Sequence, residues 1–146
     1  MDRFWEHKTL GELSAEEWES LCDGCARCCL VKLEEEGSGC VHYTGLVCDL
    51  LDLETCRCTR YPDRHRLVKD CIDFSAEVMA SLSWLPRSCA YRRVAEGRGL
   101  ADWHPLVSGS PDSVHRAGIS VLGRVIPAGS VHEDEFEEHL IQWVET

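Results

Sequence analysis

Trp18 and Leu21 form a short apolar face directly behind Ser14-Ala-Glu-Glu17. That polar stretch reads as a capping box, in which Ser14 and Glu17 satisfy each other's free amides, and it predicts a first helix leading into Cys22. Further on, Val41-His-Tyr-Thr44 predicts a short strand, and Val47 to Leu53 a short apolar segment of either type. A second helix is predicted from Ser75 to a stop before Pro86. Ser88 is placed to cap a third through Val94, closed by Gly97. Ile119 to Ile126 reads as one strand or a bent pair, since Gly123 and then Pro127 interrupt it. At the end of the chain Phe136, Leu140, Trp143 and Val144 fall on one face of a helix. Its first turns carry Glu133, Asp134, Glu135, Glu137 and Glu138, the charge sign that a helix N-terminus favours.

These elements predict a single small α+β domain over residues 1–146, mostly helical. Within it, residues 22–89 form an irregular, cysteine-rich, metal-stapled region broken by Gly24, Gly37, Gly39, Gly45 and Pro62, and residues 119–146 form a C-terminal strand and amphipathic helix. Because no equivalent apolar core is visible between Cys22 and Cys71, bound metal is expected to contribute strongly to stability.

Composition sharpens this picture at one point. The chain holds ten cysteines in 146 residues, near the density of a cross-linked or metal-bound framework. Disulfides need an oxidising compartment, and the N-terminus has no apolar run of signal-peptide length. No stretch reaches the roughly 18 apolar residues of a membrane helix. The chain is therefore expected in the cytoplasm, away from membranes, where dense cysteines point to metal or redox chemistry. Its formal net charge of −11 argues against broad nucleic-acid binding, because phosphate backbones repel such a surface. One basic run, Arg57, Arg60, Arg64, Arg66 and Lys69 with only Asp63 opposing, departs from that balance. It reads either as a solvated face or as compensation for nearby thiolates, whose ligand form adjacent cations favour.

The strongest chemical signal is Cys22-Asp-Gly-Cys25-Ala-Arg-Cys28-Cys29. Two Cys-x-x steps let a short loop present three sulfurs to one metal centre, as bacterial ferredoxins do for a four-iron cluster. Zinc more often takes ligand pairs from two separated segments. Adjacent side chains usually point apart, so Cys29 is expected to serve a second metal or to pair with Cys25 at helical spacing. Downstream stand Cys40, Cys48, Cys56, Cys58, Cys71 and Cys89. An extended backbone would put the sulfurs of Cys56 and Cys58 on one side. For Cys40 the simpler role is that of a small buried hydrophobe.

Several of these segments together, Cys22-x-x-Cys-x-x-Cys-Cys29, Leu30-x-Lys-Leu-Glu34, Cys48, Thr55-Cys-Arg-Cys-x-x-Tyr61, Asp70-Cys71, Trp84-Leu-Pro-x-x-Cys-Ala-Tyr91 and Trp103-His-Pro-Leu106, resemble the YcgN-like proteins. These belong to a bacterial CxxCxxCC cysteine-cluster family related to YkgJ. The resemblance runs from about Phe4 to Ser120. It implies a zinc- or iron-chelating domain and no particular reaction. Its pattern places Cys22, Cys25, Cys28, Cys29, Cys48, Cys56, Cys58, Cys71 and Cys89 among the metal-binding residues and leaves Cys40 out.

Of the seven histidines, none shows the paired spacing of a helical metal site; His104 is the best candidate ligand, with a buried, hydrogen-bonded role as the simpler one. No phosphate loop, dinucleotide fingerprint or nucleophile elbow is present. The function expected is metal binding, with an iron–sulfur cluster or zinc as the cofactor and no assigned catalysis. The alternative is a redox protein or enzyme in which an iron–sulfur cluster carries electrons. Partners are a metal ion or cluster and, in addition, an unidentified protein.

Overall fold

The computed structural model describes residues 3–68, 71, 75–76 and 83–146. The capping box forms as the sequence predicts. Ser14 Oγ accepts from the Glu17 amide at 3.1 Å, and the Ser14 amide donates to Glu17 Oε1 at 2.9 Å. They open α1 (Ala15–Ser20). Behind it β1 (Leu30–Glu34) pairs antiparallel with β2 (Val41–Val47), in a register that sets Lys32 opposite Tyr43 and Leu30 opposite Val47. A two-residue pair, β3 (Leu51–Asp52) and β4 (Arg57–Cys58), follows, then the single turn α2 (Arg64–Leu67). The helices α3 (Ala90–Ala95), α4 (Pro105–Ser108) and α5 (Ser113–Arg116) are also short. Last, β5 (Ile126–Pro127) runs parallel to the end of β2, giving the order β1-β2-β5. Helical turns outweigh strands, as expected of a mostly helical α+β chain. Among the described residues no helix is long and apolar enough to cross a membrane.

Two apolar clusters hold these pieces. The first joins Phe4, Trp5, Leu10, Leu21, Leu85 and Tyr91, and so ties the N-terminal turns to α3. Tyr91 reinforces it by donating to the Trp18 carbonyl at 2.7 Å. The second gathers Leu30, Tyr43, Val47, Leu51, Cys56 and Val121 within the cysteine-rich half. This corrects one expectation: the region between Cys22 and Cys71 has an apolar core of its own. β1 supplies it, because Leu30-Val-Lys-Leu-Glu34 sits where its pairing with β2 buries Leu30.

Three local expectations also change. The C-terminal segment is not an amphipathic α-helix: a 3-10 turn spans Glu133–His139, and Leu140 is already extended. Leu140 bridges Thr44 and the Ile141 amide donates to the Tyr43 carbonyl at 3.0 Å, so Ile141, Trp143 and Val144 pack against the second cluster from the edge of β2. Pairing with that edge satisfies backbone groups and buries those side chains together, which outweighs helical periodicity. Between Ile119 and Ile126 the chain turns instead of forming a long strand, because the Val121 amide is used on the Cys25 carbonyl at 3.0 Å and Gly123 takes a left-handed φ of 78°. Helix α3 starts one residue later than its Ser88 cap implies, with Cys89 at the cap position, and it closes at Gly97. The helix expected from Ser75 lies mostly outside the described residues, as do Lys69 and Asp70.

Candidate metal centre

The Cys22–Cys29 loop is held by side chains of its own Asp23 and of Arg57, Trp103 and His104. His104 lies 1% exposed, and its Nε2 donates to the Leu21 carbonyl at 2.7 Å while its Nδ1 accepts from the Leu106 amide at 3.0 Å. With both ring nitrogens committed to backbone, His104 is a buried structural histidine and has no lone pair left for a metal. Burial holds its pKa below the usual histidine range. Asp23, also buried, accepts from the Cys25 amide at 3.0 Å and from the Trp103 indole at 3.3 Å. Gly24 adopts φ +81° with the Arg57 guanidinium packed against it; a Cβ there would lie 3.4 Å from that group. Ala26 is left-handed as well, and this breaks any helix between Cys25 and Cys29. The helical Cys25/Cys29 pairing is therefore not formed, and a 3-10 turn covers only Arg27–Cys29.

Within that turn Cys28 and Cys29 are electrostatically linked neighbours. The Cys29 thiol, helped by the charge of Lys32, lowers Cys28 to about 7. The same link, together with burial, pushes Cys29 far up, so Cys28 is the more acidic of the two. Lys32 is aimed here from β1. Its Nζ donates to the Cys28 and Leu30 carbonyls at 2.7 and 2.8 Å and lies over the rings of Tyr43 and Trp84. Burial lowers the Lys32 pKa, whereas the charges of Cys28, Cys29, Cys71 and Cys48 raise it.

These electrostatic contacts map the cluster. Desolvation, then the charges of Cys28, Asp23 and Cys89, push Cys22 up to about 12, although the residue presents surface to solvent and only its sulfur is crowded by protein. Cys25 is raised by burial, Asp23 and Cys28. Burial pushes Cys89 up to about 12, with Cys28 adding to it. Cys71 is raised by burial, eased by Arg64, and raised further by Cys28, Cys48 and Cys58. Thiols from the loop, the segment after α2 and the cap of α3 thus lie within electrostatic reach of Cys28, and Cys48 and Cys58 within reach of Cys71. All ten cysteines are free thiols.

Two positions stand apart. Cys56 takes a left-handed φ of 61° and buries its sulfur in the second apolar cluster, where it donates to the Cys25 carbonyl at 3.8 Å. That backbone removes the extended geometry that would present Cys56 and Cys58 together. Cys40 is exposed at the far end of the β1–β2 hairpin rather than buried. The basic run divides as well. Arg60 and Arg66 pair with Asp63 at 3.2 and 3.3 Å, whereas Arg57 and Arg64 act on Cys56 and Cys71 and favour their thiolates. Sequence reading missed Asp23, Arg27, Lys32 and Trp103. A lysine inside the apolar stretch Leu30 to Leu33 is the one local signal that pointed to a buried cation.

The donor chemistry of this site, soft thiols with a buried ammonium beside them, fits zinc, iron or a cluster. Among the described residues no three Cys, His, Asp or Glu groups converge as ligands of one ion.

The chain is 52% identical over 141 residues to a UPF0260 protein of Marinobacter nauticus, covering 97% of this chain and 95% of that one. It is 55% identical to a UPF0260 protein of Azotobacter vinelandii with the same coverage, and 55% identical to one of Rhodopseudomonas palustris, covering 96% and 83%. No family model matches, and no solved structure matches. The names of these relatives mention neither cysteines nor metal.

Proposed function

The chain belongs to the UPF0260 family, and we propose that it is a thiolate metal-binding protein that holds an iron–sulfur cluster or zinc, without assigned catalysis. The observation that carries this reading is the gathering of Cys22, Cys25, Cys29, Cys71 and Cys89 within the field of a single Cys28 thiolate. Cysteines serving only as small apolar residues have no reason to gather around one another in this way. Cys48 and Cys58 belong to the same group through Cys71, and Cys56 stands behind it. Loading draws the sulfurs inward and releases their protons, since the metal binds thiolates.

The two Cys-x-x steps favour an iron–sulfur cluster, and with it an electron-carrying role. The loss of a same-side Cys56/Cys58 pair removes the arrangement that favoured zinc. Metal and acid-labile sulfide analysis of protein purified without oxygen tests the reading. Iron with matching sulfide is the expected result, and zinc without sulfide supports a structural or metal-handling module. Finding neither metal refutes the proposal.

A further inference from the structure

Beside the thiol loop lies a cleft of about 400 Å³. Its walls carry Arg27, Arg87, Arg93 and Arg98, with Glu145 as the carboxylate among them. For a chain with a formal net charge of −11, this is a local reversal of sign in a concave place, where low-dielectric walls focus the field.

Arg27 and Arg93 are held by neutral oxygens, whereas Arg98 is also ion-paired with Glu96. Arg27 Nε donates to the Ile119 carbonyl at 2.7 Å and Nη1 to Ser88 Oγ at 3.2 Å. Arg93 Nε donates to the Gly99 carbonyl at 3.0 Å. Arg98 is shared between Glu96 and the Arg87 carbonyl, at 2.8 Å to each. The exposed Arg87 side chain has no hydrogen bond or ion pair among the described residues. Arginine stays protonated even when partly buried, so the cleft keeps four cations against the one carboxylate of its lining, Glu145. Ser88 and Gln142 add neutral polar groups to the wall, and Trp103 a flat one.

We infer that this cleft binds a small organic or inorganic oxyanion, with phosphate or carboxylate groups taken by Arg87 and Arg98 near the surface and by the buried Arg27 at the back. Guanidinium forks match both groups in a bidentate manner. Placement gives the site a further consequence. The Arg27 amide donates to Cys25 Sγ at 3.5 Å, and the Trp103 indole holds Asp23, which in turn caps Cys25. Two walls of the cleft are thus the supports of the thiol loop, and a bound anion sits next to that centre. The inference stands whether or not the thiols carry metal.

Calorimetric titration of the protein as purified, under reducing conditions and at roughly 0.15 M salt, where surface charge is already screened, tests it with pyrophosphate, a nucleoside triphosphate and citrate. The expected result is saturable one-to-one binding of at least one of them, weakened about tenfold or more, or some 1.4 kcal/mol, by Arg87→Ala and by Arg98→Ala. Arg116→Ala, on α5, leaves binding unchanged. The phosphate arms and the citrate arm identify which oxyanion the site prefers. Because the Arg87 side chain supports nothing else, its variant folds normally, and a melting curve checks that. Absence of saturable binding in every arm overturns the inference. Binding that survives both Arg87→Ala and Arg98→Ala also overturns it.

Discussion

A Cys28→Ser chain purified without oxygen is expected to carry roughly a tenth or less of the wild-type metal, a loss of at least about 1.4 kcal/mol in binding, and to lose solubility. Cys28 is the one thiol held near 7, and the charges of its neighbours are referred to it. Serine replaces an acidic sulfur with a hydroxyl that does not ionise, and leaves Lys32 beside a neutral group. Cys25→Ser is expected to behave alike, since Cys25 shares the loop and is buried with it. Cys40→Ser is expected to be nearly silent, because Cys40 is exposed in a distant turn. The metal-to-protein ratio of the three variants decides this. Full loading of Cys28→Ser, or a loss in Cys40→Ser, contradicts the site assignment.

The second large effect belongs to His104. His104→Ala is expected to cost about 3 kcal/mol, since it leaves a buried carbonyl and a buried amide unpaired and opens a cavity. It also carries a pH signature. The unfolded imidazole titrates near the ordinary value of 6.5, and the folded one lies below it. Between these two values the unfolded chain binds the extra proton. His104 therefore stabilises the fold fully above 6.5 and loses that contribution as pH falls through the folded pKa. Chemical denaturation from pH 7.5 to 5 is expected to show a smaller acid-side decline in His104→Ala than in the wild type. Equal declines contradict the burial of a neutral imidazole.

How much of this was legible in the sequence varies with the range of the forces involved. The Ser14–Glu17 box is local, and it forms as read. The period of Phe136, Leu140, Trp143 and Val144 is local too, yet the free edge of β2 captured the segment, and nothing near those residues announces that edge. The spacing of Cys22, Cys25, Cys28 and Cys29 marked the loop. The left-handed Ala26, which caps the 3-10 turn of Cys28 and Cys29, is a non-glycine exception that residue type conceals. Cys56 and Cys58 read as a pair because their spacing fits a strand, and the turn that separates them depends on burial of Cys56 against Leu51 and Val121. Some supports of the loop, Trp103 and His104, come from far along the chain, and their contacts appear only once the chain has folded.

The metal and the apolar clusters divide the work of stability differently from what the cysteine density alone indicates. With Leu30, Tyr43, Val47 and Leu51 packed together, the β1–β2 sheet keeps a core without metal. The thiol loop, where burial holds Cys22, Cys25 and Cys89 as neutral thiols around Cys28, is the part that gains most from a bound cation.

The most direct measurement is X-ray absorption at the edge of whichever metal the purified protein contains. The account predicts a first shell made of sulfur alone, near about 2.3 Å if the metal is zinc, with an iron neighbour added if a cluster is present. A shell dominated by nitrogen and oxygen would contradict it, because the thiols would then not be the ligands.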